Sequence, residues 1–435
     1  MSSSDALGAL EAWARSGAMA LTGVADGPPE AAPGDPAGVV ARSLAAVADA
    51  TVRRTGRRPV LPDPRLLGER AAIAALGRRA PLSCGGAFRA VPTRDGHVGL
   101  SLARQSDLEL LPALLGSDAL VRRVDALQGG DGRAPEWAWN AVASWAAQLA
   151  TEEAVGCAEL LGIPAAGVPD VPLALEADPA WGAGARTRHE GGARGRSVAP
   201  LVIDLTSLWA GPLCAHLLGL AGCRVVKVEA LARPDGARRG PASFFDLLHA
   251  GHQMVALDFT SAAGRRQLAD LVARADVVLE SSRPRALRQL GIDAEAVVDA
   301  GTSWLSITAR GRDSETVGFG DDVAVSAGLF VRDEAGTPVP CGDALADPLT
   351  GVVAAVAAAR NLEGEQAELI EVSMWHAARA ARAAMAGIAP HAVHQRVDGW
   401  WVEHEGGAIR VEEPWARAVT STARGIGADN RAVFR

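Results

Sequence analysis

The 435-residue sequence contains no tyrosine, very little lysine and no pair of closely spaced cysteines. An odd number of cysteines without a CxxC motif argues against a disulfide framework or a zinc site and fits a reducing cytosol. We therefore expect no metal. The five cysteines are Cys84, Cys157, Cys214, Cys223 and Cys341.

The sequence also lacks an excess of basic residues and a long apolar run. Its 43 Lys and Arg against 51 Asp and Glu give a formal net charge of -8, so no overall basic field exists to hold nucleic acid or an anionic membrane. No stretch approaches the roughly 18 apolar residues of a membrane span, and the N-terminus does not read as a secretory signal. We expect a soluble, cytoplasmic protein without a nucleic-acid or membrane partner.

What is present is a βαβ pattern that begins near residue 200. Short apolar runs alternate with segments of helical spacing, and Ser261 is a candidate cap for one of these helices. This alternation predicts an α/β fold, a Rossmann-like parallel sheet with ligand sites at the carboxyl ends of its strands. The predicted strands are LVIDL (201–205), RVVKVE (224–229), MVALDF (254–259), ADVVLES (275–281) and WLSIT (304–308).

A smaller α+β unit is predicted before this sheet. Residues 85–102 read as two strands around a turn, and helical segments follow to about Leu161. Residues 179–197 are polar, Gly-rich and without periodicity, which predicts a linker. The predicted division is 1–80 for a helical segment, 81–175 for the small α+β domain, 176–197 for the linker and 198–435 for the large domain.

Asp347 is the first candidate for chemistry. It precedes Pro348 and an apolar helix predicted from Leu349 to about Arg360, which predicts an N-cap. Helical N-H groups and the helix dipole favour the ionised carboxylate that a nucleophile needs. Most N-cap aspartates are only caps, and Asp343 is a rival four residues earlier.

A pair of carboxylates, Asp321 and Asp322, is the second candidate. They lie in a Gly-flanked segment, GFGDDVAVSAGLF, where neighbouring carboxylates can raise one pKa and supply an acid or base. Composition alone favours a solvated turn there. The sequence has no GxGxxG and no GxxxxGK[ST] motif, which weakens dinucleotide and P-loop interpretations.

Residues 16–77 also resemble residues 327–387. The segment that begins at Asp35, DPAGVVA, parallels DPLTGVVA beginning at Asp347, and an Ala-rich helical run follows each. Ala-rich helices resemble one another by chance, so the repeat alone is weak evidence of duplication.

Several motifs in succession resemble the class III CoA-transferase family, which includes formyl-CoA transferase, carnitine CoA-transferase and the α-methylacyl-CoA racemases. They are a D-L-x-x-x-x-A-G-P opening, V-x-K-V-E, V-A-L-D-F, A-D-V-V-x-E and R-P-x-x-L-x-x-L-G, and they cover about 198–375. In that family the catalytic aspartate lies in an A-D-x-x-x-G segment. Ala346, Asp347 and Gly351 match it.

The resemblance implies an enzyme that moves CoA from an acyl-CoA to a small carboxylic acid through an aspartyl anhydride and an aspartyl-CoA thioester. It implies Asp347 as nucleophile, Asp321 or Asp322 near the reacting carbonyl, and N-H donors from a loop between Gly318 and Gly328. It also implies a homodimer, with a paralogous subunit as the other arrangement, and no metal. The CoA-binding residues it implies are Leu208, Trp209, Ala210, Leu257, Ser281, Ser282, Arg283 and Arg288.

The order of segments departs from the family. The small domain resembles one that ordinarily follows the sheet, and residues 16–35 resemble the segment that precedes the aspartate. The chain therefore resembles the second half of one copy joined to the first half of another. Asp35 is the first copy's candidate, but its glycine follows after three residues instead of four, so Asp347 ranks above it.

The CoA-contacting basic residues of relatives are also missing. Arg283, Arg285 and Arg288 are the candidates to replace them. The alternative function is therefore a catalytically degenerate CoA-binding or structural subunit, while a racemase is disfavoured because Asp321-Asp322 stands where racemases carry a His-Asp pair. The residues at the basic positions are Ser207, Ala230, His252, Thr260 and Gln289.

Overall fold

The computed structural model describes residues 3–127, 133–169, 179–195, 197–282, 284–384 and 387–435. The α-helices are α1 (Ser3–Arg15), α2 (Pro36–Thr55), α3 (Glu69–Ile73), α4 (Gln105–Glu109), α5 (Leu111–Leu114), α6 (Val121–Asp125), α7 (Glu136–Ala146), α8 (Thr151–Leu161), α9 (Ala210–Leu220), α10 (Ala242–His249), α11 (Ala262–Ala273), α12 (Pro284–Gln289), α13 (Ala294–Asp299), α14 (Gly320–Ser326), α15 (Ala346–Asn361), α16 (Met374–Ala383) and α17 (Asn430–Val433). Short 3₁₀ helices span Met19–Leu21, Pro64–Gly68, Asp118–Leu120, Pro179–Trp181 and Gly236–Arg239. The strands are β1 (Phe88–Pro92), β2 (His97–Ser101), β3 (Ala165–Gly167), β4 (Ala185–Ala193), β5 (Leu201–Asp204), β6 (Arg224–Ala230), β7 (Gln253–Leu257), β8 (Val277–Glu280), β9 (Ser303–Thr308), β10 (Phe330–Arg332), β11 (Pro338–Pro340), β12 (Gln366–Ser373), β13 (His391–Arg396), β14 (Gly399–His404) and β15 (Gly407–Arg410).

The central sheet has the strand order β4-β12-β9-β8-β5-β6-β7 within the described ranges. Every neighbouring pair is parallel except β4 with β12. The central strands β5 and β8 are buried along their length because helices cover both faces of the sheet. The α/β prediction is confirmed, and the five strands predicted after residue 200 correspond to β5 to β9.

The strand order of the sheet reverses between β5 and β8. The chain runs outward from β5 to β6 and β7, then returns to β8 on the other side of β5. Ligands of open α/β sheets bind where the strand order reverses in this way, at the carboxyl ends of the strands. The segments that follow β5 and β8 contain most of the residues predicted to bind CoA, and Leu257 ends β7.

The predicted linker contains a strand. Residues 185–193 form β4, which pairs antiparallel with β12 at the edge of the sheet. Arg186 and Arg188 both reach the buried carboxylate of Glu371 on β12, at 2.8 and 3.3 Å. Polar and glycine residues concealed this strand because its stability comes from ladder and ion-pair contacts rather than from an apolar face. The division into domains at residues 80, 175 and 198 stays a prediction.

The N-terminal helices share one core with the large sheet. Trp13 of α1 and Val40 of α2 belong to the same buried cluster as the residues of α9 and α15. Helix α15 packs against both α2 and α9. A Cβ at Gly351 would lie 2.8 Å from the backbone oxygen of Ala210, so α15 directly contacts the start of α9. This contact positions the site described below.

A separate buried cluster holds the small unit together. Strands β1, β2 and β3 form an antiparallel sheet, and α7 and α8 supply apolar side chains such as Trp139 to its core. The two predicted strands between residues 85 and 102 are confirmed as β1 and β2. No helix in the described ranges combines the length and hydropathy that a membrane crossing needs.

Candidate active site

Asp347 lies inside its helix instead of capping it. Helix α15 begins at Ala346, with Leu345 at the N-cap position, so Asp347 is the second helical residue. The backbone N-H of Asp347 donates to the oxygen of Ala344 at 2.8 Å, which carries the preceding turn straight into the helix. The N-cap prediction is therefore wrong, because the helix begins three residues before the predicted start.

Three more carboxylates surround Asp347. Asp321 and Asp322 lie in the first turn of α14, and Asp343 lies in the turn that leads to α15. These three are buried, whereas Asp347 is half-buried and retains access to solvent. The predicted solvated turn at residues 321–322 is wrong, since both residues are helical and enclosed. The predicted donor loop between Gly318 and Gly328 is likewise mostly helix.

Hydrogen bonds fix the two carboxylates of α14. Asp321 Oδ1 accepts from the backbone N-H of Ala344 at 3.0 Å and also interacts with the Ser83 hydroxyl. Asp322 Oδ1 accepts from Ser101 Oγ at 2.6 Å and from the backbone N-H of Phe319 at 3.0 Å. Helix α14 is therefore held between the turn before α15 and the end of β2.

Asp343 forms an ion pair with Arg70. The Arg70 Nε donates to Oδ2 at 2.8 Å, and a second guanidinium nitrogen donates to Oδ1, which makes the pair bidentate. The Cys84 thiol donates to the same Oδ1 at 3.3 Å. Arg70 lies on α3, so the N-terminal part of the chain supplies the cation of this site.

Burial raises the pKa of Asp321, Asp322 and Asp347. The pKa of Asp321 rises to about 6, and those of Asp322 and Asp347 rise to about 7. For Asp347 burial is the largest cause, the neighbouring carboxylates add to it, and the positive charge of Arg70 opposes it. The prediction that local contacts favour the ionised form of Asp347 is wrong in direction.

The carboxylate of Asp347 makes no hydrogen bond or ion pair with any described residue. One of its oxygens lies close to the backbone of Gly320, where an added Cβ would stand 2.5 Å from Oδ2. A side chain at position 320 would occupy the space beside this oxygen. Asp347 is thus a carboxylate that is partly accessible and has no hydrogen-bond or ion-pair partner among the described residues.

The loop after β5 carries three of the predicted CoA-binding residues. Leu208 has a φ of 72°, and its backbone N-H donates to Asp235 Oδ1 at 3.0 Å. Trp209 is buried and packs edge-on against Phe244, and Ala210 begins α9. The Arg70 guanidinium lies 5.0 Å from the Trp209 ring. Arg70 therefore contacts both this loop and the carboxylate cluster.

A buried ion cluster supports the same loop. Lys227 is the one lysine of the chain, and its ammonium group is 3.0 Å from Asp235 and 3.5 Å from Asp204. It also donates to the backbone oxygen of Thr206. Asp235 accepts from Leu208 with its other oxygen, so these charges hold Leu208 in its left-handed conformation.

Leu257, Ser281 and Ser282, which are also predicted to bind CoA, lie at the carboxyl ends of strands of the same sheet. Leu257 ends β7 and is buried, while Ser281 and Ser282 follow β8. The backbone N-H of Ser282 donates to Glu280 at 2.6 Å. Arg283 lies outside the described residues. The geometry brings these segments to one edge without showing a CoA contact.

Arg288 lies on α12 and borders a separate cavity of about 200 Å³. The described residues that line this cavity do not include the four carboxylates. Asp35 also lies outside the carboxylate cluster, because it caps α2. The lining residues are Arg188, Leu287, Arg288, Ile292, Asp293, Ala294, Glu295, Arg312 and Asp313.

The structure shows that His252 cannot replace a basic residue. It is buried, and burial together with His216 and Lys227 lowers its pKa to about 3. A neutral imidazole provides no charge for a phosphate. Among the described residues, no group of three or more His, Cys, Asp or Glu has the arrangement of a metal site.

Sequence reasoning missed Arg70, Ser83, Cys84 and Ser101. Each contacts a carboxylate that lies more than 200 positions away in the chain. The one available signal was their position beside or within the segment that resembles the family's small domain. A single sequence does not show which side chains of that segment face Asp347.

Comparison with known proteins finds a family model and several relatives that match part of this chain. The model of CoA-transferase family III covers residues 200–400. An acyl-CoA transferase of Fusarium pseudograminearum is 29% identical over 198 residues, which are 38% of this chain and 43% of the relative. A succinyl-CoA–D-citramalate CoA-transferase of Chloroflexus aurantiacus is 23% identical over 236 residues, which are 46% of this chain and 59% of the relative.

The beta subunit of a succinyl-CoA–L-malate CoA-transferase, also of Chloroflexus aurantiacus, is 31% identical over 166 residues, covering 35% of this chain and 41% of the relative. A solved structure of a hypothetical protein from Mycobacterium tuberculosis aligns with a TM-score of 0.43 and 27% identity, over 49% of this chain and 66% of that one. The chain spans about half the length of the curated relatives it matches. Residues 200–400, a little under half of the chain, are therefore similar to CoA-transferase family III.

Proposed function

We propose that this protein transfers CoA from an acyl-CoA thioester to a carboxylic acid, with Asp347 as the nucleophile. The observation that carries the proposal is the Asp347 carboxylate, which is accessible and not engaged while its three neighbours are buried and hydrogen-bonded. Relatives named as CoA-transferases support the reaction class.

In the proposed reaction the Asp347 carboxylate attacks the thioester carbonyl and the CoA thiolate leaves, which gives an acyl-aspartyl anhydride. The thiolate then attacks the aspartyl carbonyl, releases the donor acid and leaves an aspartyl-CoA thioester. The acceptor carboxylate attacks that thioester, and the released thiolate attacks the acceptor's acyl carbon. One thioester is exchanged for another, and the Asp347 carboxylate is regenerated.

The ionisation of Asp347 sets the expected pH dependence. Because the pKa of Asp347 is raised to about 7, the attacking carboxylate is lost as the pH falls below neutrality. Asp321 and Asp322 titrate in the same range, so the observed midpoint belongs to the group of carboxylates. Transfer should therefore rise with pH through about 7.

Turnover by the purified chain tests the proposal. Acyl-CoA and candidate carboxylic acids are incubated with the protein, and the new CoA ester is identified by mass. Transfer that is absent in Asp347→Asn supports the proposal, whereas full transfer in that variant overturns it. By resemblance we propose that the active species is a homodimer, which light scattering of the same sample checks.

A second candidate is a CoA-binding subunit without catalysis. It is favoured by the missing basic residues, and by the neutral state of His252 in particular. Such a protein would bind CoA without forming new CoA esters. Turnover by this chain alone excludes the second candidate.

A further inference from the structure

The charges that face Asp347 come from several parts of the chain. Asp321 and Asp322 face it from α14, and Asp343 faces it from the preceding turn. Arg70 faces it from α3 and lowers its pKa. Beyond these, the Cys84 thiol lies beside Asp343, and Arg310 acts on Asp322. Among these groups, Arg70 is the cation that forms an ion pair with a carboxylate of the cluster.

Three residues define the surroundings of the Arg70 guanidinium. Asp343 binds two of its nitrogens, the Trp209 ring lies 5.0 Å from its guanidinium, and Gly85 leaves room beside it. A Cβ at Gly85 would stand 3.6 Å from an Arg70 nitrogen. This side chain therefore has a defined place between the turn before α15 and the loop after β5.

We propose that Arg70 is a positioning residue for the reaction at Asp347: it clamps the turn that carries Asp347 and supplies a positive charge that opposes protonation of this carboxylate. The proposal rests on the proposed function. Arg70 reaches Asp347 through Asp343 and through its field, so it is not itself a nucleophile, acid or base.

The ion pair between Arg70 and Asp343 restrains the backbone of the turn before α15, in addition to supplying a charge. Asp343 lies between Gly342 and Ala344, which both have positive φ angles of 66° and 44°. The Ala344 N-H binds Asp321, so the ion pair at Asp343 and this hydrogen bond fix the same turn. Loss of Arg70 would leave Asp343 buried without its cation and would loosen the turn from which Asp347 projects.

The positive charge of Arg70 also favours the ionised form of Asp347. A nearby positive charge favours an ionised carboxylate, and like charges disfavour it. Without Arg70, Asp347 would be protonated over a wider pH range. The structure thus assigns to an N-terminal residue the control of chemistry that lies more than 270 residues away along the chain.

The test compares Arg70→Gln, Arg70→Lys and Asp343→Asn with a matched control. Arg417→Gln is the control because the Arg417 guanidinium forms a similar bidentate ion pair with the buried Glu69, which is next to Arg70 in sequence but outside the cluster. Transfer is measured from pH 5.5 to 9. Carbon-13 NMR of carboxyl-labelled protein follows the Asp347 titration, which is assigned by its loss in Asp347→Asn.

We expect Arg70→Gln to move the pH midpoint of transfer upward and to lose more than ten-fold activity at pH 6.5 relative to pH 9. Asp343→Asn should move the midpoint downward, Arg70→Lys should recover part of the loss, and Arg417→Gln should leave the midpoint unchanged. Equal loss at every pH, with the Asp347 titration unmoved, overturns the proposal.

Two further outcomes keep the test decisive. If Arg70→Gln fails to fold, the double variant Arg70→Gln/Asp343→Asn removes both charges, and its Asp347 titration should lie at higher pH than that of Asp343→Asn alone. If the wild-type protein shows no transfer, the proposed function fails, while the NMR titration still decides whether Arg70 controls the ionisation of Asp347.

Discussion

Asp35 and Asp347 begin similar segments of the chain, and the structure uses them differently. Asp35 caps α2: its Oδ1 accepts from the Gly38 N-H at 2.9 Å, and its Oδ2 pairs with Arg42 at 2.8 Å. Both oxygens are occupied. Asp347 lies one residue inside α15, and its oxygens have no partner among the described residues. One aspartate is structural and the other is available for chemistry.

The difference depends on where each helix begins. A cap carboxylate receives N-H groups two or three residues ahead, which suits Gly38 but requires Asp35 to stand outside the helix. At the second copy the turn through Ala344 starts α15 earlier, and Asp321 holds that turn. A tertiary contact, rather than the local sequence, therefore releases Asp347 from the capping role.

The largest expected effect separates the two aspartates directly. Asp347→Asn should lower transfer on the order of a thousandfold or more, because the nucleophile is removed. Asp35→Asn should leave transfer within a few-fold of the wild type, since its carboxylate only caps and pairs. Initial rates with saturating acyl-CoA measure both. Comparable losses of transfer in the two variants would contradict a catalytic role for Asp347 and a purely structural role for Asp35.

The two glycines that follow these aspartates should differ next. A Cβ at Gly351 would press on Ala210 and Leu213 of α9, so Gly351→Ala should cost about 1–3 kcal/mol in the free energy of unfolding and should also impair transfer. At Gly38 the Cβ would meet the Asp35 carboxylate, so Gly38→Ala should cost about 1 kcal/mol, as for a lost cap, and spare transfer. Urea unfolding and rates on the same samples test the contrast.

Stability should depend on pH through the carboxylate cluster. The raised pKa values of Asp321, Asp322 and Asp347 mean that the folded state holds protons more tightly than the unfolded state. Their contribution to stability is complete below about pH 4 and is lost as pH rises through about 6 to 7. Asp347→Asn should therefore show a smaller decline in the free energy of unfolding between pH 5.5 and 8.

The buried histidines act in the opposite sense. Burial lowers the pKa of His216 to about 4 and that of His252 to about 3, so their contribution is present above about pH 6.5 and is lost below it. The comparison of Asp347→Asn with the wild type isolates the carboxylate, since the histidines are common to both proteins. If the free energy of unfolding of Asp347→Asn declines with pH as steeply as that of the wild type, the titrating group responsible is not Asp347.

The smallest effect is expected at the ion pair of Asp35. Arg42 is largely exposed, so Arg42→Ala should change the free energy of unfolding by only about 0–1 kcal/mol. Transfer should be unaffected. A large loss of transfer in Arg42→Ala would show that the first segment takes part in catalysis.

The strands of the large sheet could be predicted because each is a short apolar run between turn signals, and the proximity of Asp321, Asp322 and Asp347 followed from a resemblance in motif order. Strand β4 could not be predicted, because Arg186 and Arg188 are stabilised by Glu371 on β12, which is far away in the sequence.

The position of Asp347 within α15 and its raised pKa also escaped prediction. Both depend on contacts that a local pattern does not contain: the hydrogen bond from Ala344 to Asp321 and the burial of neighbouring carboxylates. Arg70 escaped for the same reason, since nothing near it in the sequence marks its partner. The roles predicted for Asp321, Asp322 and Asp347 stay predictions, and Arg70, which acts on the charge of Asp347, had no signal in the sequence.

Chemical trapping identifies the aspartate that forms the covalent intermediate. The purified protein is exposed to a panel of acyl-CoAs and then to hydroxylamine, and its peptides are mapped by mass. We predict a hydroxamate on Asp347 and an unmodified Asp35. An unmodified Asp347 in a protein that still transfers CoA, or a hydroxamate on Asp35, would contradict this prediction.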